Sequence, residues 1–458
     1  MSASTLPRLI HVGRGLCGEL GEAERREWWL ANGLGAYAAG TLSGSLTRRY
    51  HGLLVAPLDP PLGRRLVVAK ADATLFDGER EWPLFTNRWS DGAVSPAGHV
   101  HIEQFRLEGS TPVWQFACAD LVIEQRIWME PGEHTTYVAY RLMGGTPPSP
   151  ITLRVALLVN DRDHHHVTRV GDIDPRVEAQ SDRLRMTVHG DHRLQLIAVG
   201  GSVRPDRQWI EGLDLTMERY RGLEDSDNHL QVGVADLELA PDRWCGLVAS
   251  LAETPNEDLA LSLEDLCRRD RALVDRARQA HPEFRQAPDW IEQLLLAADR
   301  FVIERDLRDG SEGESVIAGY PWFGDWGRDT MIALPGLTLV TGRVATSRRI
   351  LETFDGFVDQ GLLPNLFPGT GSEPAYNSVD AALWYIEAWR AFVETTGDAA
   401  VIPRIYGTLE SIIGHYRDGT RFGICMDPED GLIAAAAPGV QLTWMDAKAG
   451  DWVVTPRM

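Results

Sequence analysis

The residues best suited to chemistry gather in a ten-residue segment, 321–330, with the sequence PWFGDWGRDT. It offers the indole rings of Trp322 and Trp326, the guanidinium of Arg328 and the carboxylate of Asp329. A purely structural interpretation exists, in which Asp329 caps a helix and Arg328 is its ion-pair partner. Because capping requires only one such residue, we interpret the combination as part of a functional site.

Two later segments carry similar groups. One contains Asn377 and Asp380, which a turn and a helix start would explain as well as a binding role, so both interpretations stay open. The other contains Trp444, Asp446 and Lys448. An apolar ring and a cation are neighbours by which proteins adjust the protonation of a carboxylic acid. In isolation Asp446 could equally be a helix cap, so its position relative to the other segments has to decide.

The elements that must position these segments change type along the chain. From about residue 20 to 255, short runs rich in β-branched and aromatic residues predict an antiparallel β-sandwich. Residues 258–280 then switch to helical spacing, and a proline-bounded stretch follows. We therefore expect a β-sandwich domain over residues 1–257, a helical linker over 258–288 and a helical domain over 289–458.

Apolar residues at helical spacing predict five helices in the last part of the chain, over 289–306, 329–340, 344–359, 378–395 and 399–417. Tight turns and long connections alternate between them, as in a ring of helical hairpins. Such a ring places every long connection at one end, where function concentrates. All three candidate segments are long connections, which favours a shared site. The helices account for about half of a six-hairpin ring, an incomplete (α/α)6 barrel.

Charge and cysteine content narrow the class of protein. The net charge is −21 and the isoelectric point is near 5.0, which argues against a nucleic-acid partner. We find no leader pattern, no membrane-length apolar run and no CxxC pair among five cysteines, so we expect a cytoplasmic protein that binds no membrane. Three adjacent histidines in 161–166 cannot all face one ion from a strand, and we expect no metal and no cofactor.

Several motifs taken together are similar to those of a known family. They are WLANGLGAYA at 29–38, TRRYHGLLV at 47–55, GRDT at 327–330, LPN at 363–365 and TWMD at 443–446. In this order they resemble the amylo-α-1,6-glucosidase portion of glycogen debranching enzymes, in the short form of bacteria and archaea. The resemblance runs along nearly the whole chain.

The resemblance implies a β-sandwich followed by a glucoamylase-like (α/α)6 barrel. It also implies hydrolysis, with inversion, of the α-1,6-linked glucose left at branch points. The substrates would be glycogen, limit dextrin or branched malto-oligosaccharides. Asp446 would be the general acid, and Arg328 with Asp329 would hold the hydroxyls of the terminal glucose.

The remaining candidates would line the same site. The resemblance places Trp326 and Trp444 beside the sugar, and the sequence adds Trp322 and Lys448 from the same segments. Asn377 and Asp380 are the weaker candidates for substrate binding.

The chain departs from the family pattern at one catalytic position. The family's general base is a glutamate near the end of the barrel, and the resemblance stops before that glutamate. Asp451 is a poor substitute because it lies five residues from Asp446, whereas inversion needs a carboxylate on the opposite face, roughly 6.5–9.5 Å away.

Two alternatives stay open. One is another hydrolase of the glucoamylase or trehalase type, or an inverting phosphorylase. The other is a glycan-binding module without catalysis. The sequence leaves the oligomeric state open.

The missing general base predicts a lack of hydrolytic activity. Because no general base is identified, we expect this 458-residue chain to release no glucose from limit dextrin. The measurement is a glucose assay after prolonged incubation with the purified chain. Release above that of a heat-denatured control would contradict it.

Overall fold

The computed structural model describes residues 6, 8–59, 63–78, 80–145, 151–306, 312–367, 374–445, 447–450 and 452–453. By backbone contacts the chain forms two compact units. The first consists of residues 1–272 and 288–300, and the second of residues 273–287 and 301–458. The predicted domain boundaries at 257 and 288 remain predictions.

The first unit is built from antiparallel strands. They are β1 His11–Gly13, β2 Glu27–Ala31, β3 Tyr37–Thr41, β4 Gly52–Asp59, β5 Gly63–Phe76, β6 Glu81–Pro83, β7 Thr86–Arg88, β8 Val94–Ala97, β9 Ile102–Glu108, β10 Thr111–Cys118, β11 Leu121–Met129, β12 Thr135–Gly144, β13 Ile151–Asp163, β14 Val177–Ala179, β15 Arg183–Val188, β16 His192–Val199, β17 Gly201–Asp214, β18 Ser226–Leu239 and β19 Cys245–Ser250. The helices of the chain begin with α1 Arg14–Cys17, α2 Leu20–Glu24, α3 Thr216–Tyr220, α4 Leu259–Ala280 and α5 Asp289–Asp299.

Two large sheets share one buried core in this unit. The nine-stranded sheet has the order β1-β9-β10-β11-β12-β19-β16-β15-β14, and the other has the order β17-β18-β13-β5-β4-β3-β2, with β6 added beside β5. In β15 the apolar Leu184, Met186 and Val188 are buried, and the residues between them are not, as a two-residue period requires. The predicted antiparallel β domain is therefore confirmed.

The second unit is mainly helical. It contains α6 Gly327–Leu334, α7 Val344–Asp355, α8 Ala381–Thr396 and α9 Ile402–Asp418, with short strands β20 Val302–Asp306, β21 Glu312–Val316, β22 Cys425–Met426, β23 Ile433–Ala434, β24 Lys448–Ala449 and β25 Trp452–Val453. A π-helical turn, Pro335–Leu339, extends α6. The apolar faces of α6–α9 share one core that includes Leu334, Phe354 and Trp389. Helix α8 stops at Gly397, whose φ of +68° is left-handed.

The first predicted helix of this region is wrong over its last third. Helix α5 ends at Asp299, and Val302–Asp306 instead forms β20, paired with β21. Val302 and Ile303 are β-branched and buried, which favours a strand. Pairing with β21, which lies beyond the end of the predicted helix, therefore overrides the helical spacing. The (α/α)6 arrangement remains a prediction. Among the described residues, no helix is long and apolar enough to cross a membrane.

A buried imidazole predicts how stability depends on pH. Burial lowers the pKa of His229 from 6.5 to about 4, and its Nδ1 lies 2.9 Å from the Asn160 amide nitrogen. Below pH 6.5 the imidazole of His229 binds a proton in the unfolded chain but stays neutral in the folded protein. His229 should therefore lower the unfolding free energy by about 3 kcal/mol as the pH drops from 6.5 to 4, in addition to the effect of His134, whose pKa burial also lowers to about 4. Urea unfolding at several pH values measures this.

His229→Gln is the matched variant, because it removes the titrating group from the same buried position. Its unfolding free energy should change less with pH over that window. An equally steep pH dependence in both proteins would contradict the assignment to His229.

Candidate active site

The first connecting segment, residues 317–328, folds back on itself before α6 begins. The Ala318 N–H donates to the Gly324 carbonyl (2.9 Å), and the Phe323 N–H donates to the Gly319 carbonyl (2.9 Å). This turn leaves Trp322 and Phe323 exposed, and the rings of Phe323 and Trp326 meet edge to face at 5.8 Å. The segment thus presents aromatic surface next to the start of α6.

A buried ion pair holds that segment to the strands before it. Asp325 is fully buried, and its Oδ2 lies 2.6 Å from Arg305 Nη1 on β20 and accepts a hydrogen bond from Ser315 Oγ (3.0 Å) on β21. The Arg305 guanidinium also stacks on the Phe367 ring at 4.5 Å. Sequence reasoning missed Asp325 as a positioning residue, because its partner lies in the stretch wrongly predicted as helix.

The second connecting segment, residues 362–380, is joined to the first by backbone contacts. The Gly327 N–H donates to the Asn365 carbonyl (3.1 Å), and the Asn365 N–H donates to the Ala375 carbonyl (2.7 Å). A Cβ on Gly327 would lie 2.0 Å from the Pro364 carbonyl oxygen, so a larger residue would force the segments apart. The glycine of the GRDT motif and the LPN motif are therefore parts of one contact.

Arg328 and Asp380 form the central polar contact. Arg328 Nε donates to both carboxylate oxygens of Asp380 at 2.8 Å, and Nη2 donates to Ser378 Oγ at 3.1 Å. Ser378 Oγ in turn donates to Asp380 (2.8 Å) and accepts from the Ala381 N–H (3.2 Å), which fixes the start of α8. The side chains of Arg328 and Asp380 are 11% and 26% exposed, so the pair faces solvent while its geometry is fixed.

Asp329 takes neither role of the structural interpretation. Trp326 occupies the N-cap position of α6 and its side chain makes no capping hydrogen bond, and the carboxylate paired with Arg328 belongs to Asp380. Asp329 is exposed in the first turn of α6, where its charge interacts favourably with the helix dipole. In the described part of the chain its carboxylate has no cationic partner, so it is available to a ligand beside Arg328.

The third connecting segment, residues 441–453, begins beside α8. The Val379 N–H donates to the Leu442 carbonyl (2.8 Å), and Asn377 Nδ2 donates to the Gln441 carbonyl (3.4 Å). Tyr416 of α9 donates its hydroxyl to the Val379 carbonyl (2.6 Å). Burial, with the nearby negative charge of Asp380, raises the pKa of that hydroxyl. Asn377 therefore joins the second segment to the third, as a structural contact.

The remaining candidates lie further along this segment. Trp444 is 65% exposed, and Lys448 is exposed in the short strand β24. Asp446, the predicted proton donor, lies outside the described residues. The catalytic and binding roles of all these residues remain predictions.

Comparison with known proteins gives the family. Residues 26–245 match the family model described as glycogen debranching enzyme N terminal, and residues 296–458 match the one described as amylo-alpha-1,6-glucosidase. A 98-residue stretch, 20% of the chain, is 35% identical to the glycogen debranching enzyme of Saccharomyces cerevisiae and spans 6% of that protein. The chain belongs to the glycogen debranching enzyme family.

Two solved structures show a distant likeness. One is a bacterial glucoamylase complexed with acarbose, with a TM-score of 0.46 and 11% identity over 91% of this chain and 60% of that chain. The other is described as a kojibiose phosphorylase from the human microbiome, with a TM-score of 0.42 and 9% identity over 82% of this chain and 54% of that one. Family membership rests on the sequence matches.

The ion pair of Asp325 predicts a large effect on stability. Asp325→Asn leaves the Arg305 charge buried without its carboxylate, so the unfolding free energy should fall by about 3–5 kcal/mol. Glu314→Gln is the matched control, because Glu314 pairs with the exposed Arg349 and should cost about 1 kcal/mol or less. Urea unfolding at pH 7 compares the variants, and similar losses would contradict the special role of Asp325.

Proposed function

We propose that this chain provides the sugar-binding groups and the general acid of an inverting glycosidase. Its reaction removes α-1,6-linked glucose at the branch points of glycogen, limit dextrin or related α-glucans. The observation that carries the proposal is the fixed Arg328–Asp380–Ser378 contact, beside exposed aromatic rings, in a chain of the glycogen debranching family. Family membership supports glycoside hydrolysis, and the residue roles are our assignment.

Arg328 has hydrogen-bonding capacity left for a sugar. Nε and Nη2 are engaged by Asp380 and Ser378, while Nη1 makes no hydrogen bond within the described part of the chain. The N–H groups of Nη1 point in different directions and can each donate to a sugar hydroxyl, and the exposed carboxylate of Asp329, next in the chain, can accept from a hydroxyl. A donor and an acceptor on consecutive residues of the first turn of α6 suit two different hydroxyls of a terminal glucose.

The aromatic groups of the first segment complement this polar contact. Trp322 and Phe323 are exposed and Trp326 is half-buried, and their flat faces suit the apolar C–H face of a pyranose ring. Trp444 offers a further exposed ring from the third segment. Polar groups then fix the orientation of the sugar, and aromatic surface excludes water from it.

Asp446 is proposed as the general acid. Its carboxylic acid gives a proton to the glycosidic oxygen as the bond from that oxygen to the anomeric carbon breaks. A water molecule attacks the anomeric carbon from the opposite face and passes its proton to a second carboxylate, the general base. We assign no residue of the described chain to that base. The attachment of Leu442 to Val379 supports the assignment of Asp446, because it starts the third segment at the beginning of α8.

Binding tests the role of Arg328. The chain should bind a maltotetraose that carries one α-1,6-linked glucosyl stub more tightly than linear maltotetraose. Arg328→Ala should weaken binding of the stubbed oligosaccharide at least about tenfold, and Arg328→Lys should weaken it too, because an ammonium cannot form the same fork. The measurement is isothermal titration calorimetry.

Arg349→Ala is the matched control, because it removes an exposed arginine of the same unit whose partner is Glu314. It should leave the affinity unchanged. Equal affinity for stubbed and linear sugars, or equal losses in the Arg328 and Arg349 variants, would overturn the proposal. Asp446→Asn should bind within about twofold of the unchanged chain, because an acid acts mainly in the transition state. Loss of binding would make Asp446 a binding residue.

A further inference from the structure

Helix α8 carries four aromatic residues, and one of them is left out of the core. Tyr385, Trp389 and Phe392 are buried among the apolar residues shared by α6–α9. Trp384 is 40% exposed and does not belong to that core. The exposed indole leaves apolar surface available to a ligand on an otherwise core-forming helix.

Trp384 follows Asp380 by one helical turn. Its N–H donates to the Asp380 carbonyl (2.9 Å), the bond that begins the first turn of α8. Residues four apart share one face of a helix, and helical side chains lean towards the N-terminus. The indole of Trp384 therefore lies on the face of α8 that carries Asp380, whose carboxylate Arg328 holds at 2.8 Å.

The start of α8 is a rigid base for this ring. Ala381 and Ala382 are fully buried, and Ser378 fixes the first turn through the Ala381 N–H. Val379 is bound on both sides, to Leu442 through its N–H and to Tyr416 through its carbonyl. An aromatic ring on a fixed backbone loses little conformational entropy when a ligand covers it.

The groups around Trp384 combine charged hydrogen-bonding atoms with an apolar aromatic face, and few ligands complement both. Asp380, which holds the Arg328 guanidinium, lies one turn before Trp384, and Trp384 itself offers the flat apolar face of a partly exposed indole. A pyranose ring has this character, with hydroxyls around its edge and C–H groups on its face. A purely apolar ligand would cover Arg328 Nη1 without giving it a hydrogen-bonding partner.

We propose that Trp384 is a sugar-stacking residue, whose indole packs on the glucosyl ring that Arg328 binds by its hydroxyls while Asp380 holds the guanidinium in place. This rests on the proposed function and deepens it. The ring of Trp384 supplies apolar contact area, and the polar pair fixes the orientation of the sugar. Trp384 thereby joins the binding site as a group from the first turn of α8.

The test is titration calorimetry of the full chain with the maltotetraose that carries one α-1,6-linked glucosyl stub. Trp384→Ala should weaken binding about tenfold or more, because truncating a well-placed tryptophan removes a dominant contact. Trp384→Phe, which keeps an aromatic face, should recover most of that loss. The thermal unfolding midpoint should stay near that of the unchanged chain, since Trp384 lies outside the core.

Leu383→Ala is the matched control. Leu383 is 42% exposed on the same helix, and one residue along a helix is a rotation of about 100°. Its variant should bind the sugar as the unchanged chain does. Unchanged binding by Trp384→Ala, or equal losses in the Ala variants of Trp384 and Leu383, would overturn the role of Trp384 alone. Failure of the unchanged chain to bind the sugar would overturn the proposed function and this inference together.

Discussion

The ion pair between Arg328 and Asp380 is the contact on which the candidate site depends. Arg328 lies in the first turn of α6, where the helix dipole disfavours a positive charge. Asp380 lies at the start of α8, where the dipole favours a negative charge. The pair therefore offsets the unfavourable position of the guanidinium and brings the two helix starts together. The Ser378 hydroxyl strengthens the pair, because it accepts hydrogen bonds from the Arg328 guanidinium and from the α8 backbone and donates one to the Asp380 carboxylate.

The helical periodicity predicted the helices that carry this pair. It did not predict which residues form the pair, because that depends on contacts between distant parts of the chain. Helices α6–α9 lie within a few residues of their predicted ranges, because their apolar faces and glycine stops are local signals. The purely structural interpretation of the sequence paired Arg328 with Asp329, its neighbour, whereas the structure pairs it with Asp380. A contact between residues 52 positions apart has no local signature.

Three further features could not be predicted from sequence patterns. Strand β20 was predicted as the end of a helix because its partner β21 is separated from it in sequence. Asp325 looked like another polar residue of a tryptophan-rich segment, and only its burial against Arg305 reveals its role. The exposure of Trp384 could not be predicted either, since a tryptophan at helical spacing is most simply expected to join the core. The sequence motifs did identify the family, because their order along the chain is specific.

Main-chain hydrogen bonds join the first segment to the second, from Gly327 to Asn365, and the second to the third, from Val379 to Leu442, while the bond from Asn365 to Ala375 lies within the second segment. Such bonds depend little on side-chain identity, apart from the glycine that the Pro364 carbonyl demands. The scaffold can therefore tolerate exchange of the exposed side chains that it presents. Selection for a different ligand could proceed by altering Trp322 or Phe323 while the main-chain framework beneath them keeps its shape.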